Sequence, residues 1–275
     1  MYGNHNLSKT SGLPVPMRLR FRLLKGAVCL MGLVGIGTSA PALAQDAPSW
    51  ALTGSVAVQS DYKFRGISQN DREPSPQGSL TLTGPEGFYV SAWASTVDFD
   101  PTNSSNPHLE LDIYGGKHTD LWGVDWNFMP YYYSYPSQNY GTGPSANYFE
   151  IINQFTKAFG PATFTGSWAW SDNLAFNGGT GNALWGTVSY TVMDWLTVSG
   201  NLGHQWAQNA KYVGSSDYTY GDIGATASWK GFALDLRYNG TDLNTTQCAA
   251  FYMATTNACK GNFVATLTYN ISLLP

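Results

Sequence analysis

From Trp50 onward the chain alternates apolar and polar residues with a period of two. Trp50, Leu52, Val56, Val58, Tyr62 and Phe64 share one face, and Thr53, Ser55, Gln59, Asp61, Lys63 and Arg65 share the other. Successive side chains of an extended strand point to opposite faces, so 50–65 is expected to be one strand with an apolar and a polar side. The same alternation predicts eleven more strands near 76–83, 88–98, 108–116, 121–133, 147–155, 162–171, 183–192, 195–206, 220–229, 232–239 and 261–273. Phe232, Leu234, Leu236 and Tyr238 make one clear apolar face, and Leu184, Val188, Tyr190 and Val192 another.

Connection lengths alternate as well. Short turns are expected at 84–87, 117–120, 156–161, 193–194 and 230–231, and longer polar loops at 66–75, 99–107, 134–146, 172–182, 207–219 and 240–260. Short turns on one side and long loops on the other are the habit of outer-membrane β-barrels. The expected fold is therefore all-β: an antiparallel transmembrane barrel of twelve strands, with both termini in the periplasm. Aromatic residues near strand ends (Trp50, Phe88, Trp122 and Phe232 at one side, Tyr62, Phe64, Tyr132, Trp168, Trp170, Trp206 and Tyr238 at the other) suit the two membrane interfaces. A soluble β-sandwich would not call for the alternation of loop lengths.

Composition sharpens this reading. Charged residues make up 12% of the 275 and aromatics 15%, against about 25% charged in an ordinary soluble domain. Arg18, Arg20, Arg22 and Lys25 precede a short apolar run, 26–37, and Ala42-Leu43-Ala44 is a small-x-small cleavage signal. Residues 1–44 are therefore expected to be a signal peptide and 45–275 the barrel domain. Cleavage after Ala44 would leave 9 Lys+Arg against 18 Asp+Glu, an acidic product ill suited to nucleic acid. Cys248 and Cys259 remain, and an oxidising compartment favours a local disulfide between them.

Ser60-Asp61-Tyr62-Lys63-Phe64-Arg65-Gly66-Ile67-Ser68-Gln69 resembles the TorF-type porin family of proteobacteria, formerly conserved hypothetical outer-membrane proteins. Similar segments are Gly87–Ser95, Glu110–Gly116, Tyr132–Pro136 and Asn147–Glu150. The resemblance spans the chain beyond the signal segment and implies an outer-membrane barrel, its substrate unassigned for most members; it brings no catalytic or metal residues to carry over. It departs at the C-terminus, where Leu273-Leu274-Pro275 replaces a terminal aromatic.

Most strand charges fall on the polar face: Asp61, Lys63, Arg65, Glu110, Asp112, Asp125, Glu150, Asp235 and Arg237 are the candidate pore-lining residues. Arg or Lys facing lipid at the midplane costs about 2–4 kcal/mol. Two readings stay open: an electrostatic constriction in an open pore, or ion pairs that plug the lumen. Catalysis finds little support. A nucleophile system would need a histidine with an activating or orienting partner, but His118 is expected at a solvated turn beside Thr119 and Asp120, His108 at a strand start and His204 at the lipid interface next to Gln205. No His/Cys spacing suggests zinc, the loop at 98–106 reads as solvated rather than as a calcium site, and no cofactor is expected. The chain is expected to be no enzyme but a channel for small polar solutes with a mild cation preference. Its partners would be outer-membrane lipid, lipopolysaccharide and, during biogenesis, the barrel-assembly machinery. An outer-membrane enzyme acting on lipid, or a closed structural or adhesion barrel, is the alternative.

Overall fold

The computed structural model describes residues 50–99, 106–136, 138, 145–208, 217–250 and 257–274. The expected signal peptide at 1–44 lies outside these residues. The chain forms twelve barrel strands: β1 (Ala51–Gln59), β2 (Ser75–Thr83), β3 (Phe88–Thr96), β4 (Leu109–Leu121), β5 (Val124–Ser134), β6 (Tyr148–Phe159), β7 (Ala162–Ser171), β8 (Gly181–Met193), β9 (Leu196–Ala207), β10 (Tyr218–Trp229), β11 (Phe232–Thr241) and β12 (Asn262–Leu274). Each pairs antiparallel with its sequence neighbours, and β1 closes on β12 through Val56↔Tyr269 and Val58↔Leu267. Closure leaves no unpaired edge, the condition for a sheet to stand in a bilayer.

Alternation sorts the side chains as expected. Val56, Leu80, Ile113, Leu202, Ile223 and Phe263 are exposed on the outer face. Ser91, Asp112, Tyr133, Glu150, Asn201 and Arg237 point inward and are buried. Strands of 9–13 residues match the roughly 9–11 tilted residues that cross a hydrocarbon layer. The connections 84–87, 122–123, 160–161, 194–195 and 230–231 lie at one end with the outer ends of β1 and β12; the six long connections lie at the other. These are called the turn end and the loop end below.

Three expectations need correction. The turn placed at 156–161 shrinks to Gly160–Pro161, because β6 keeps pairing with β7 through Thr156–Phe159. The turn placed at 117–120 lies at Trp122–Gly123, because β4 continues through His118 and Asp120 to Leu121. Positive φ at Trp122 (55°) and Gly123 (77°) makes this a tight two-residue hairpin turn, and Trp122 projects free of the wall instead of joining an apolar strand face. The first strand also stops at Gln59, not Arg65. Residues 60–74 leave the wall and enter the lumen, so Tyr62 is buried inside the barrel rather than set in an aromatic belt.

Candidate functional site

The inward turn begins where β1 meets its last ladder partners. Ser60 donates its N–H to the Ala265 carbonyl (2.9 Å), and its Oγ accepts the Ala265 N–H (2.9 Å). Lys63–Phe64 and Ile67–Ser68 then pair as a two-residue ribbon, Lys63↔Ser68 and Phe64↔Ile67. The connecting residues Arg65 (φ 45°) and Gly66 (φ 81°) both lie in the left-handed region, as a tight hairpin turn requires. A Cβ on Gly66 would stand 2.7 Å from Thr241 Cγ2 and 2.9 Å from the Gly240 carbonyl, so the tip rests against the wall at β11. At the base, Gln69 N–H donates to the Tyr62 carbonyl (2.7 Å) and Asn70 Oδ1 accepts the Tyr62 N–H (3.0 Å).

Arg65 carries the hairpin across the lumen. Its two terminal nitrogens donate to Glu150 Oε1 (2.9 Å) and Oε2 (2.8 Å) on β6, and Nη1 also donates to Gln205 Oε1 on β9 (2.6 Å). The guanidinium lies over the rings of Phe64 (4.8 Å) and Trp185 on β8 (5.6 Å). Bidentate, charge-assisted bonding fixes both position and orientation. Glu150 also accepts the Tyr133 hydroxyl (3.1 Å).

Lys63 binds in the opposite direction, to the loop between β11 and β12. Its Nζ lies 3.2 Å from Asp61 Oδ2 and donates to the Ala258 carbonyl (3.0 Å). Ser68 N–H donates to the same carbonyl (2.9 Å). Cys248, in the short helix α1 (Thr245–Ala250), is bonded to Cys259, with Cα atoms 5.8 Å apart. The disulfide thus closes the loop on which the hairpin base hangs.

A second ion cluster sits on β10 and β11. Arg237 donates to Asp235 Oδ1 and Oδ2 (3.0 Å each), to Asp222 and to Ser199 Oγ (3.1 Å). Glu110 and Asp112 on β4 meet tyrosines instead. Tyr135 donates to Glu110 Oε1 (3.2 Å) and Tyr131 to Asp112 Oδ2 (2.8 Å). Rings of Tyr114, Tyr131, Tyr133 and Tyr148 stack along this wall at centroid distances of 4.3–4.5 Å. Toward the turn end, hydroxyl pairs replace these large groups: Ser55–Ser79 (2.7 Å), Thr81–Ser91 (2.8 Å) and Thr156–Thr165 (3.0 Å).

A family model described as a bacterial protein of unknown function, Gcw_chp, matches residues 43–271. The chain belongs to the Gcw_chp family. No curated protein matches this Gcw_chp chain. Among solved structures it is similar to the NanC porin, with a TM-score of 0.52 and 10% identity over 82% of this chain and 100% of that one. It is also similar to the KdgM porin in complex with disordered oligogalacturonate (TM-score 0.49, 8% identity, 80% and 98% covered). An outer-membrane channel from Pseudomonas putida F1 matches at TM-score 0.49 and 15% identity, covering 82% and 97%. The NanC likeness shows that the Gcw_chp barrel shares the porin fold.

Of the nine lumen candidates in this Gcw_chp barrel, Asp61 and Lys63 lie together, as do Arg65 and Glu150, Asp235 and Arg237, and Glu110 and Asp112. Asp125 stands apart at the turn end, 2.8 Å from His118 Nδ1. Asp222, bonded to Arg237, is a lumen charge missing from the candidates, although strand parity alone places it inward beside Tyr220. Gln205 and the lumen tyrosines carry no charge to mark them. His204 faces outward as expected, its Nδ1 3.0 Å from Thr219 Oγ1 and its ring 4.5 Å from that of Trp206. His108 precedes β4, its carbonyl accepting the Val97 N–H (3.3 Å). In the loop at 98–106, Asp98 accepts the Asn106 side-chain amide; residues 100–105 lie outside the described residues.

Proposed function

We propose that this Gcw_chp barrel stands in the outer membrane of a Gram-negative bacterium, with its turn end in the periplasm, and passes small polar solutes by passive diffusion. The observation that carries the reading is the sorting itself: an apolar, aromatic outer belt around a lumen lined by charges, tyrosines and hydroxyls. Carboxylates outnumber cations in that lumen. Asp61, Glu110, Asp112, Glu150, Asp222 and Asp235 stand against Lys63, Arg65 and Arg237. Such an excess favours mild cation selectivity. The hairpin restricts passage at the loop end, while the small hydroxyl side chains leave the turn end the wider part. The partners of the outer face are membrane lipid and lipopolysaccharide, with the assembly machinery acting during insertion. The reading assigns no catalysis to any residue.

One observation favours a second reading, a closed structural barrel: Tyr62, Glu110, Tyr133 and Glu150 at the loop end are each no more than 2% exposed. Reconstitution in a planar bilayer separates the two. The channel reading expects discrete conductance steps and a reversal potential displaced toward cations in a salt gradient. Folded protein that inserts and gives no steps overturns it and leaves the closed barrel.

A further inference from the structure

Arg65 sits in a site that the hairpin does not itself build. The partners come from the wall: the Glu150 carboxylate on β6 (2.8 and 2.9 Å), the Gln205 amide oxygen on β9 (2.6 Å) and the Trp185 ring on β8, 5.6 Å from the guanidinium. Gly203 on β9 stands in register between Trp185 and Tyr220. A Cβ there would lie 2.7 Å from Trp185 Cβ and 2.4 Å from Tyr220 Cζ, so the missing side chain lets both residues close over β9. A carboxylate, an oxygen acceptor and an aromatic face are the groups that recognise a planar guanidinium.

The wall here also offers more than Arg65 uses. Trp185 and Ser167 are paired across β8 and β7 and are 6% and 2% exposed. Trp185 Nε1 and Ser167 Oγ are buried without a hydrogen-bond partner. An indole N–H can only donate, and a guanidinium has no acceptor to give it. The unmet donors beside the guanidinium position therefore suit a ligand that carries an oxygen acceptor as well. The polar hold on the hairpin tip is a single side chain. Lys63 and Ser68 at the base bind Ala258, but among the described residues no backbone hydrogen bond joins residues 64–67 to the wall. A second guanidinium that replaced Arg65 would keep Glu150 paired, so exchange avoids the orphaned buried carboxylate that release alone would leave.

We propose that Glu150, Gln205 and Trp185 form a subsite for a small solute that carries a guanidinium group and an oxygen acceptor, and that Arg65 is the occupant such a solute displaces. The hairpin is then a tethered competitor, which fills the subsite until a solute takes its place. This names a solute class for the channel proposed above and rests on that reading for its role. A group tethered by a short flexible linker acts at an effective concentration in the roughly millimolar range, so free solute competes with Arg65 at comparable concentrations.

The test reads binding of L-arginine to the full barrel folded in detergent, by saturation-transfer NMR, and needs no conduction. Conductance steps in potassium chloride across a planar bilayer report the channel separately. Wild type is expected to bind L-arginine saturably, with displacement by guanidinium chloride and not by L-citrulline, whose urea group is neutral. Arg65→Ala is expected to bind at least tenfold more tightly, because the tethered competitor is gone, and Arg65→Ala/Glu150→Gln to lose that gain. Arg65→Ala/Trp185→Phe, which keeps a ring but not the N–H, is expected to weaken L-arginine several-fold more than guanidinium alone. Binding by Arg65→Ala but not by wild type makes the Arg65–Glu150 pair a permanent brace and overturns the proposal. Equal affinity in the two places binding elsewhere and overturns it, as do equal displacement by L-citrulline and absence of binding from both. A barrel that conducts without binding keeps the channel and loses the subsite; one that binds without conducting keeps the subsite and loses the channel.

Discussion

Arg65→Ala tests whether one side chain holds the hairpin across the barrel. The guanidinium makes two bonds to Glu150 and one to Gln205, at 2.6–2.9 Å, between two rings. A hydrogen bond to a charged group contributes about 1.5–3 kcal/mol, but the three share one group and do not add. The better measure is the orphan left behind: Glu150, 2% exposed, would keep only the Tyr133 hydroxyl. Breaking a buried pair in this way costs about 3–5 kcal/mol. At about 1.4 kcal/mol per tenfold, the balance between seated and released hairpin shifts by roughly two to three and a half orders of magnitude. The assay is paired. Urea unfolding in lipid vesicles reads the stability, and single-channel recording reads the lumen. Arg65→Ala is expected to lose stability and to gain conductance or flicker. The double variant Arg65→Ala/Glu150→Gln is expected to regain stability, because it removes the orphan charge, yet to stay open, because the tie is gone. Equal stability and conductance in wild type and Arg65→Ala would refute the argument, and so would a double variant whose losses simply add.

Other contacts give further expectations. Gly66→Ala should destabilise the barrel by about 1–2 kcal/mol or more in the same urea assay, since its φ of 81° resists a side chain and the new Cβ meets Thr241 and Gly240; Gly78→Ala, whose Cβ has nothing nearer than 3.7 Å, should be neutral. Cys248→Ser should cost about 2–4 kcal/mol through the loop freed in the unfolded chain, and hydrogen exchange should speed up at the Ser68 amide, which hangs on Ala258. Arg237→Ala strands Asp222 and Asp235 together and should raise cation selectivity in a salt-gradient reversal measurement, with a stability loss of about 3–5 kcal/mol. His204→Ala, outside the lumen, should leave conductance steps unchanged.

The walls were legible because a barrel strand has only two environments, lipid and lumen, and the period of two maps onto them directly. Phe232, Leu234, Leu236 and Tyr238 alternate with Ala233, Asp235, Arg237 and Asn239 so cleanly that the strand and its two faces follow from the residues alone. Turn positions were less secure near water. The polar run Lys117–Asp120 looks like a turn, yet it belongs to β4, because polar side chains close to the membrane boundary lose little hydration. Partners were the least legible. Parity says that Glu150 and Arg65 point inward, but which acid meets which base depends on how far a lumen segment reaches, and alternation carries no such distance.

The segment 61–65 shows why one signal can report two structures. Asp61, Lys63 and Arg65 alternate in sequence with Tyr62 and Phe64 just as the wall residues before them do, and the hairpin arm is extended at Lys63–Phe64 before Arg65 turns. Alternation reports an extended backbone with two unlike sides; it does not say that the apolar side is lipid. Here Tyr62 packs against Trp93 (5.3 Å) and Phe64 against Tyr133 (5.7 Å), so aromatics of the inner face do the work that lipid does for the outer one. The distinguishing mark is charge density. Three charges in five residues at the loop end need more partners than two neighbouring strands can offer, and only a segment inside the lumen can reach β6, β9 and the β11–β12 loop at once. The Arg65-Gly66 turn makes that reach possible by reversing the chain in two residues. The same crowding explains why Glu110 and Asp112 remain without bases: the hairpin's two cations are already committed to Asp61 and Glu150, and the group it brings to β4 is the neutral hydroxyl of Tyr62.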